Sequence, residues 1–392
     1  MTASRTDLKD SATTPAILAG FDWPALLPLL REAGAAHDRD ASFPFDNLSL
    51  LRDAGLLRLT VPAALGGSGE GLVAAALAVG RVAEGCPSTA LVLAMQLTKQ
   101  AALARGIAYD AALRDRIGRE AAAEGALLNS IRVEPELGSP TRGGLPATIA
   151  RRVHGGWRIS GRKIYSTGAP GLTWFETFCR TDEPRPRIGN FMIQAGSPGL
   201  HIEETWDHLG LRASGSHDVV LEDVFVPDDR VGTLATAGDG PAPREDIQAA
   251  WNAALLGTLY NGVAIAARDW LRDFLRDRVP ANLGQPLATL PRAQEVTGRI
   301  EALLAVNTRL IASVASEADA GTPPPSGETG LIKVTVTGNA VEAVRLATTL
   351  ASNRGLSRRS TLERCWRDVQ CGLVHVPQAD SALQAAGRAA LT

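Results

Sequence analysis

The hydrophobic period of this chain changes twice, and that rules out a single sheet or a purely helical fold. From Trp23 to about Gly125, apolar residues recur every three or four positions, as in "PALLPLLREAGAAHDRDASFPFDNLSLLRDAGLLRL". Between Leu127 and Val231 the pattern becomes alternating or β-branched. "ATIARRV", "GWRISGRKIYST", "WFETFCRT", "GNFMIQ", "LHIEETW" and "VVLEDVFVP" are separated there by Gly, Pro and Asp clusters. From Ile247 to about Ala320 helical spacing returns. A breaker loop, "GTPPPSGETG" (Gly321–Gly330), precedes a last helical pair from about Leu331 to the end. This order predicts an α+β protein with a helical part over 1–126, a small antiparallel β-barrel or sandwich over 127–234, and a helical bundle over 235–392.

At 392 residues the chain is too long for one simple core, in keeping with several structural units. A net charge of −2 leaves no basic footprint for nucleic acid or an acidic membrane surface. No apolar run is long enough to span a bilayer, and the N-terminal stretch lacks the apolar segment of a secretory signal. Cys86, Cys179, Cys365 and Cys371 show no zinc or redox spacing, so reduced thiols, no metal site and a cytoplasmic location are expected. The stretch Leu72–Ala104 is apolar nearly all round, which predicts burial in the centre of a bundle. The Gly-rich turn before it, Val61–Gly71, follows no strand and is a weak phosphate loop.

Three stretches carry the chemistry. In "EPELGS", Gly138 frees the backbone for close approach to a ligand and Ser139 offers a hydroxyl. In "GWRISGRKIYSTGAP" (Gly156–Pro170), Tyr165 and Thr167 sit two apart at a strand end, so a plane and a hydroxyl would share one side. A flat heterocycle with a polar rim asks for that pair. The third stretch is "WDHLGLRASGSHDVVLEDVFVP" (Trp206–Pro227), with His217 in "GSHD".

Together these resemble the acyl-CoA dehydrogenase superfamily of flavoenzymes across essentially the whole chain. Glu134, Pro135, Gly138 and Ser139 resemble its Thr-Glu-Pro-x-x-Gly-Ser-Asp loop, with Val133 for the Thr and Pro140 for the Asp. Gly161 and Lys163 match its Gly-x-Lys-x-Trp-Ile-Thr-Asn strand, with Tyr165 for the Trp and Thr167 for the Thr. Gly210, Arg212, Ser214, Val224, Val226 and Pro227 fit its substrate-channel hairpin. The resemblance implies a C-terminal four-helix bundle and FAD, with FMN as the alternative. It implies cofactor contacts at Ser130, Val133, Ser139, Tyr165 and Thr167, and substrate contacts at Ser139, Arg212 and Ser214. It also implies a homotetramer, in which a neighbouring subunit's flavin phosphates would meet Arg278 and Arg354, flanked by Arg358 and Arg359.

The dehydrogenases of that superfamily need a carboxylate to take the α-proton of a thioester. Near the C-terminus, "RCWRDVQCGLVHVPQADSAL" keeps Arg367 and Asp368, but His375 lies within one residue of the expected Glu. The alternative position, at the start of the helix after the sheet, is Asn252, with Glu245 and Asp246 further upstream. A His there, together with "GSHD", resembles the superfamily's monooxygenase branch. In that branch a separate reductase supplies reduced flavin, and a His deprotonates a phenol or hydrogen-bonds the oxygenated flavin. The leading expectation is therefore a monooxygenase acting on a small aromatic or sulfur compound, with His375 and His217 as catalytic candidates. The alternatives are an acyl-CoA dehydrogenase with a non-standard base and a non-catalytic flavin-binding scaffold.

Overall fold

The computed structural model describes residues 18, 21–106, 108–136, 144–236 and 245–392. Gly138, Ser139 and Pro140 lie outside the described residues. The N-terminal helices are α1 (Trp23–Asp40), α2 (Phe45–Asp53), α3 (Leu72–Gly85), α4 (Pro87–Ala104) and α5 (Ala111–Glu124). The apolar stretch expected as one helix is two, because Pro87 opens α4 and holds Cys86 in an extended conformation. Both helices are buried on nearly every face, as their composition requires.

Eight strands follow: β1 (Leu127–Ile131), β2 (Ile149–Val153), β3 (Gly156–Lys163), β4 (Leu172–Thr181), β5 (Arg187–Gln194), β6 (Leu200–Glu203), β7 (Asp218–Pro227) and β8 (Ala235–Thr236). They form one sheet in the order β6-β7-β3-β2-β4-β5-β8. The sheet is not wholly antiparallel. β1 runs parallel to β4 from Leu127↔Leu172 to Ile131↔Thr177, and β2 takes the next part of the same edge at Ile149↔Arg180 and Ala150↔Thr181. The segment between β1 and β2 therefore leaves and re-enters along one strand, which brings the end of β1 to the end of β3.

The C-terminal part holds α6 (Asp246–Asp277), α7 (Pro291–Asp319), α8 (Ser326–Ala351), α9 (Thr361–Val374) and α10 (Ala379–Leu391). The last helical pair of the sequence reading is thus three helices, interrupted after Ala351 and at Val376–Pro377. Polar groups fix the bundle's register. Asn307 Nδ2 donates to Asn261 Oδ1 and to Val336 O, both at 3.0 Å, and Asn339 Nδ2 donates to Asn307 Oδ1 at 2.9 Å. The four cysteines are free thiols, three of them buried. No helix among the described residues is long and apolar enough to cross a membrane.

Candidate active site

Three separated stretches meet just past the end of β3. Ile164 N donates to Val133 O at 2.9 Å, and Asn129 Nδ2 donates to Thr167 O at 2.9 Å. Ser166 N donates to His217 O at 3.1 Å, and Gly168 N to Ser214 O at 2.9 Å. A chain of hydroxyls runs from Thr167 Oγ1 to Ser216 Oγ at 3.0 Å and on to Ser214 Oγ at 2.8 Å. Ser214 itself is fully buried, so it sits behind Thr167 as support and exposes no surface of its own to a substrate. Ser130 pairs with Glu176 across β1 and β4, and its buried hydroxyl lies near that carboxylate without a well-formed hydrogen bond. Burial would raise the Glu176 pKa, but Lys99, 2.5 Å away, together with Ser130 and Arg132 holds the group below its ordinary range.

Tyr165 and Thr167 lie in the turn after β3, so strand alternation does not orient them. Tyr165 instead adopts a left-handed backbone, φ 57°, which costs roughly 1–3 kcal/mol for a non-glycine residue and tends to mark functional positions. Its ring is 54% exposed and meets Trp206 and His208 edge-on, with those two stacked at 3.6 Å. Next to it, the buried Ser166 Oγ has no hydrogen-bond partner. An exposed aromatic plane beside a hydroxyl rim and an orphaned buried donor fits a flat ring with polar edges, which is the shape of an isoalloxazine.

Beneath the rim, Lys163 Nζ and Glu134 Oε1 form an ion pair of 2.6 Å with both side chains almost wholly buried. Glu134 also accepts from Thr148 Oγ1 and Ala147 N, both at 2.6 Å, and from Thr148 N at 3.0 Å. Burial would raise its pKa, but Lys163, Thr148 and the amide of Ala147 together pull it below the ordinary carboxylate range. Lys163 donates as well to Phe178 O at 2.5 Å. These two residues staple the β1 exit to the β3 end.

The loop Trp206–Arg212 links this rim to α9. Leu211 N donates to Asp368 Oδ1 at 2.7 Å, and Arg367 clamps Asp38 of α1 with bonds of 3.0 and 2.6 Å. Burial pushes the Asp368 carboxyl up to about 6. Gly210 packs so closely on α9 that a Cβ there would stand 2.4 Å from Arg367 O. Gly210→Ala should therefore cost about 1–3 kcal/mol through overpacking, read as a lower thermal midpoint; an unchanged midpoint would show that the loop is not pressed on α9. His217 Nδ1 accepts from Trp206 N at 3.1 Å, which occupies that nitrogen in holding the loop. Arg212 Nε donates to Asp38 O at 2.8 Å, so this side chain also ties the loop to α1.

His375 follows the last turn of α9. Its Nδ1 lies 2.7 Å from the hydroxyl of Tyr260, a buried residue of α6. Burial first, and the Lys333 ammonium second, push the imidazole down to about 4, so it is neutral near pH 7. Burial likewise holds the Tyr260 phenol well above its ordinary value. The imidazole's folded pKa is depressed, so its stabilising effect is present above its unfolded value of about 6.5 and lost as pH falls toward 4. Asp368 has the opposite sign, its effect being lost as pH rises toward 6. Wild type minus His375→Asn, in urea unfolding at stepped pH, should isolate the first term. That difference should grow by about 2–3 kcal/mol between pH 4 and 6.5, and a flat difference would contradict an imidazole held neutral by the fold.

Arg278 and Arg354 come together elsewhere. With Arg359, Trp270 and Phe274 they line a groove of about 650 Å3 between the end of α6 and the α8–α9 connection. Trp270 and Phe274 stack at 5.3 Å along one wall. Asn252, expected at the alternative base position, is exposed on α6 and accepts from Gln248 Nε2 at 3.2 Å. Among the described residues, no group of three or more acidic, His or Cys side chains could hold a metal.

Known proteins share this layout. Residues 29–106, 133–224 and 247–374 match the N-terminal, middle and C-terminal domains of acyl-CoA dehydrogenase, respectively. The Bacillus subtilis protein YdbM, named as a candidate acyl-CoA dehydrogenase, is 33% identical over 357 residues, covering 90% of this chain and 91% of that one. This chain belongs to the acyl-CoA dehydrogenase superfamily.

It is accordingly a flavin-dependent oxidoreductase. Other relatives of the superfamily do different chemistry. L-evernosamine nitrososynthase of a Micromonospora species is 29% identical, covering 88% of this chain and 83% of that one. The structure of KijD3 with FMN and dTDP-3-amino-2,3,6-trideoxy-4-keto-3-methyl-D-glucose superposes with a TM-score of 0.83 at 30% identity, covering 98% of this chain and 95% of that one. Sequence reading missed Tyr260 and Lys333, which flank His375. The available signal was a phenol and an ammonium set in two largely apolar helical runs, "LLGTLYNG" and "GLIKVTV".

Proposed function

We propose that this protein is a monooxygenase of the acyl-CoA dehydrogenase superfamily that takes reduced flavin from a separate reductase and oxygenates a small nucleophilic molecule. The observation that carries the reading is the chemistry at the two base positions. One holds an exposed Asn252 and the other His375, an imidazole kept neutral against Tyr260. An amide abstracts no proton. An imidazole pushed down to about 4 is a weak base for the α-carbon of a thioester, but a good hydrogen-bonding group at neutral pH.

Bound reduced flavin would supply the electrons and activate dioxygen. Tyr165 would cover one face of the ring, while Thr167, held by Ser216 and Ser214, would bond its polar edge. His375 would present its second nitrogen as donor or acceptor, with Tyr260 fixing the first. Val133, Ser130 and Ser139 would complete the rim, and Arg212 and His217 would shape the substrate side through the loop they hold. Arg278, Arg354 and Arg359, beside the stacked Trp270 and Phe274, offer cations for phosphates and a plane for adenine. They share no element with the Tyr165 rim, which favours FAD bound across two subunits of a homotetramer. The amino-sugar relatives add amines to the aromatic and sulfur compounds first expected as substrates.

The resemblance to YdbM favours a second reading, an acyl-CoA dehydrogenase with a displaced base. One titration separates the two readings. The protein is titrated with FAD and FMN under argon, oxidised and then dithionite-reduced, and oxygen is admitted. Tight reduced-flavin binding with a transient near-ultraviolet absorbance supports the monooxygenase. Tightly held oxidised FAD, bleached by an acyl-CoA and slow to react with oxygen, would overturn it.

A further inference from the structure

We infer that Lys333 is a positioning residue for His375: its ammonium ties the end of α9 to α8 and so sets where the imidazole sits and how it holds a proton. Lys333 is 1% exposed, yet all three of its hydrogen bonds go to backbone carbonyls. Nζ donates to Gly372 O at 2.8 Å, His375 O at 2.5 Å and Pro377 O at 3.1 Å. Gly372 O is one of the carbonyls that a helix leaves unpaired in its last turn, where its dipole also favours a cation, and the other two belong to the turn that follows. One side chain thus closes α9, spans the turn into α10 and grips the backbone of His375 itself.

The arrangement is more than a helix cap because of what surrounds the imidazole. The groups that act on it are the Tyr260 hydroxyl from α6 and Lys333 from α8, while Cys371 and Asp368 of α9 act on Tyr260 behind it. α10 carries Asp380 in its first turn and Arg388 in its last, both exposed. Among the described residues Lys333 has backbone carbonyls as partners and burial alone lowers its pKa, so no carboxylate offsets its charge. A buried cation there disfavours a second positive charge on the ring and leaves a neutral imidazole with one nitrogen given to Tyr260.

The proposal rests on the reading of His375 as a site residue, but its test does not need the reaction. In protein with isotope-labelled histidine, the His375 ring is assigned with His375→Asn and titrated by NMR. The wild-type ring should stay neutral down to about 4 and show a second, smaller step near the Lys333 midpoint of about 8. Lys333→Gln keeps donors for the carbonyls and removes the charge. It should raise the ring's midpoint by about 1 pH unit or more and abolish the step near 8. An unchanged midpoint in Lys333→Gln, or no second step in wild type, overturns the proposal; the wild-type step decides it even if the variant does not fold. If the coupling is present while His375→Asn leaves the oxygen reaction of the reduced-flavin complex unaltered, Lys333 still positions His375 and what falls is the part given to His375 in that reaction.

Discussion

Lys163→Met should lower the stability of this protein by about 3–5 kcal/mol in urea unfolding, the largest loss expected of any single substitution here. The variant strands Glu134, a carboxylate 1% exposed that now takes four hydrogen bonds, in a pocket with no cation. Removing both charges is a different matter. Lys163→Met combined with Glu134→Leu should recover much of the loss, because two apolar groups leave no unpaired charge behind. Because the pair joins the β1 exit to the β3 end, the single variant should also lose flavin binding before it unfolds. A Lys163→Met protein within about 1 kcal/mol of wild type would mean that the pair contributes little and that the rim is held by the sheet alone.

His375→Asn should change the decay of the near-ultraviolet transient by roughly 10- to 100-fold, with reduced-flavin affinity nearly unchanged. That range corresponds to one hydrogen bond to a charged or developing-charge group, about 1.5–3 kcal/mol. Tyr260→Phe removes only the partner of Nδ1 and should give a smaller change, about 2- to 10-fold, in the same direction. The order of the two effects is the informative part. If Tyr260→Phe exceeded His375→Asn, the phenol would be the group that meets the reacting atoms and the imidazole its support. If both left the transient as it is, the reactive part of the site would lie away from α9, and the Tyr165 rim would have to do the work alone.

Much of the site was legible in the sequence because its parts are local. Glu134, Lys163, Tyr165 and Thr167 stand at fixed spacings in two short stretches, and that spacing carried the resemblance. Their roles were less legible. Glu134 and Lys163 form a buried staple, and Ser214, expected against substrate, supports Thr167 from behind. His217, a catalytic candidate on sequence, has a nitrogen committed to a backbone amide of its own loop. Spacing along a chain does not say which face of a turn is covered, and these three assignments depend on that.

By itself the sequence determined the succession of helical, strand and helical segments, since periods of 3.6 and 2 are properties of neighbouring residues. It also showed a His and an Asn, not a carboxylate, where the resemblance leads one to expect the base. Tertiary structure decided how β1 and β2 share one edge of β4, and that Arg278 and Arg354, 76 positions apart in the chain, line one groove. It also decided that His375 stands between Tyr260 of α6 and Lys333 of α8. The physical reason is the same in each case. Strand pairing, a shared groove, and the burial and distant charges that set a side chain's protonation state all exist only once segments far apart in sequence have packed.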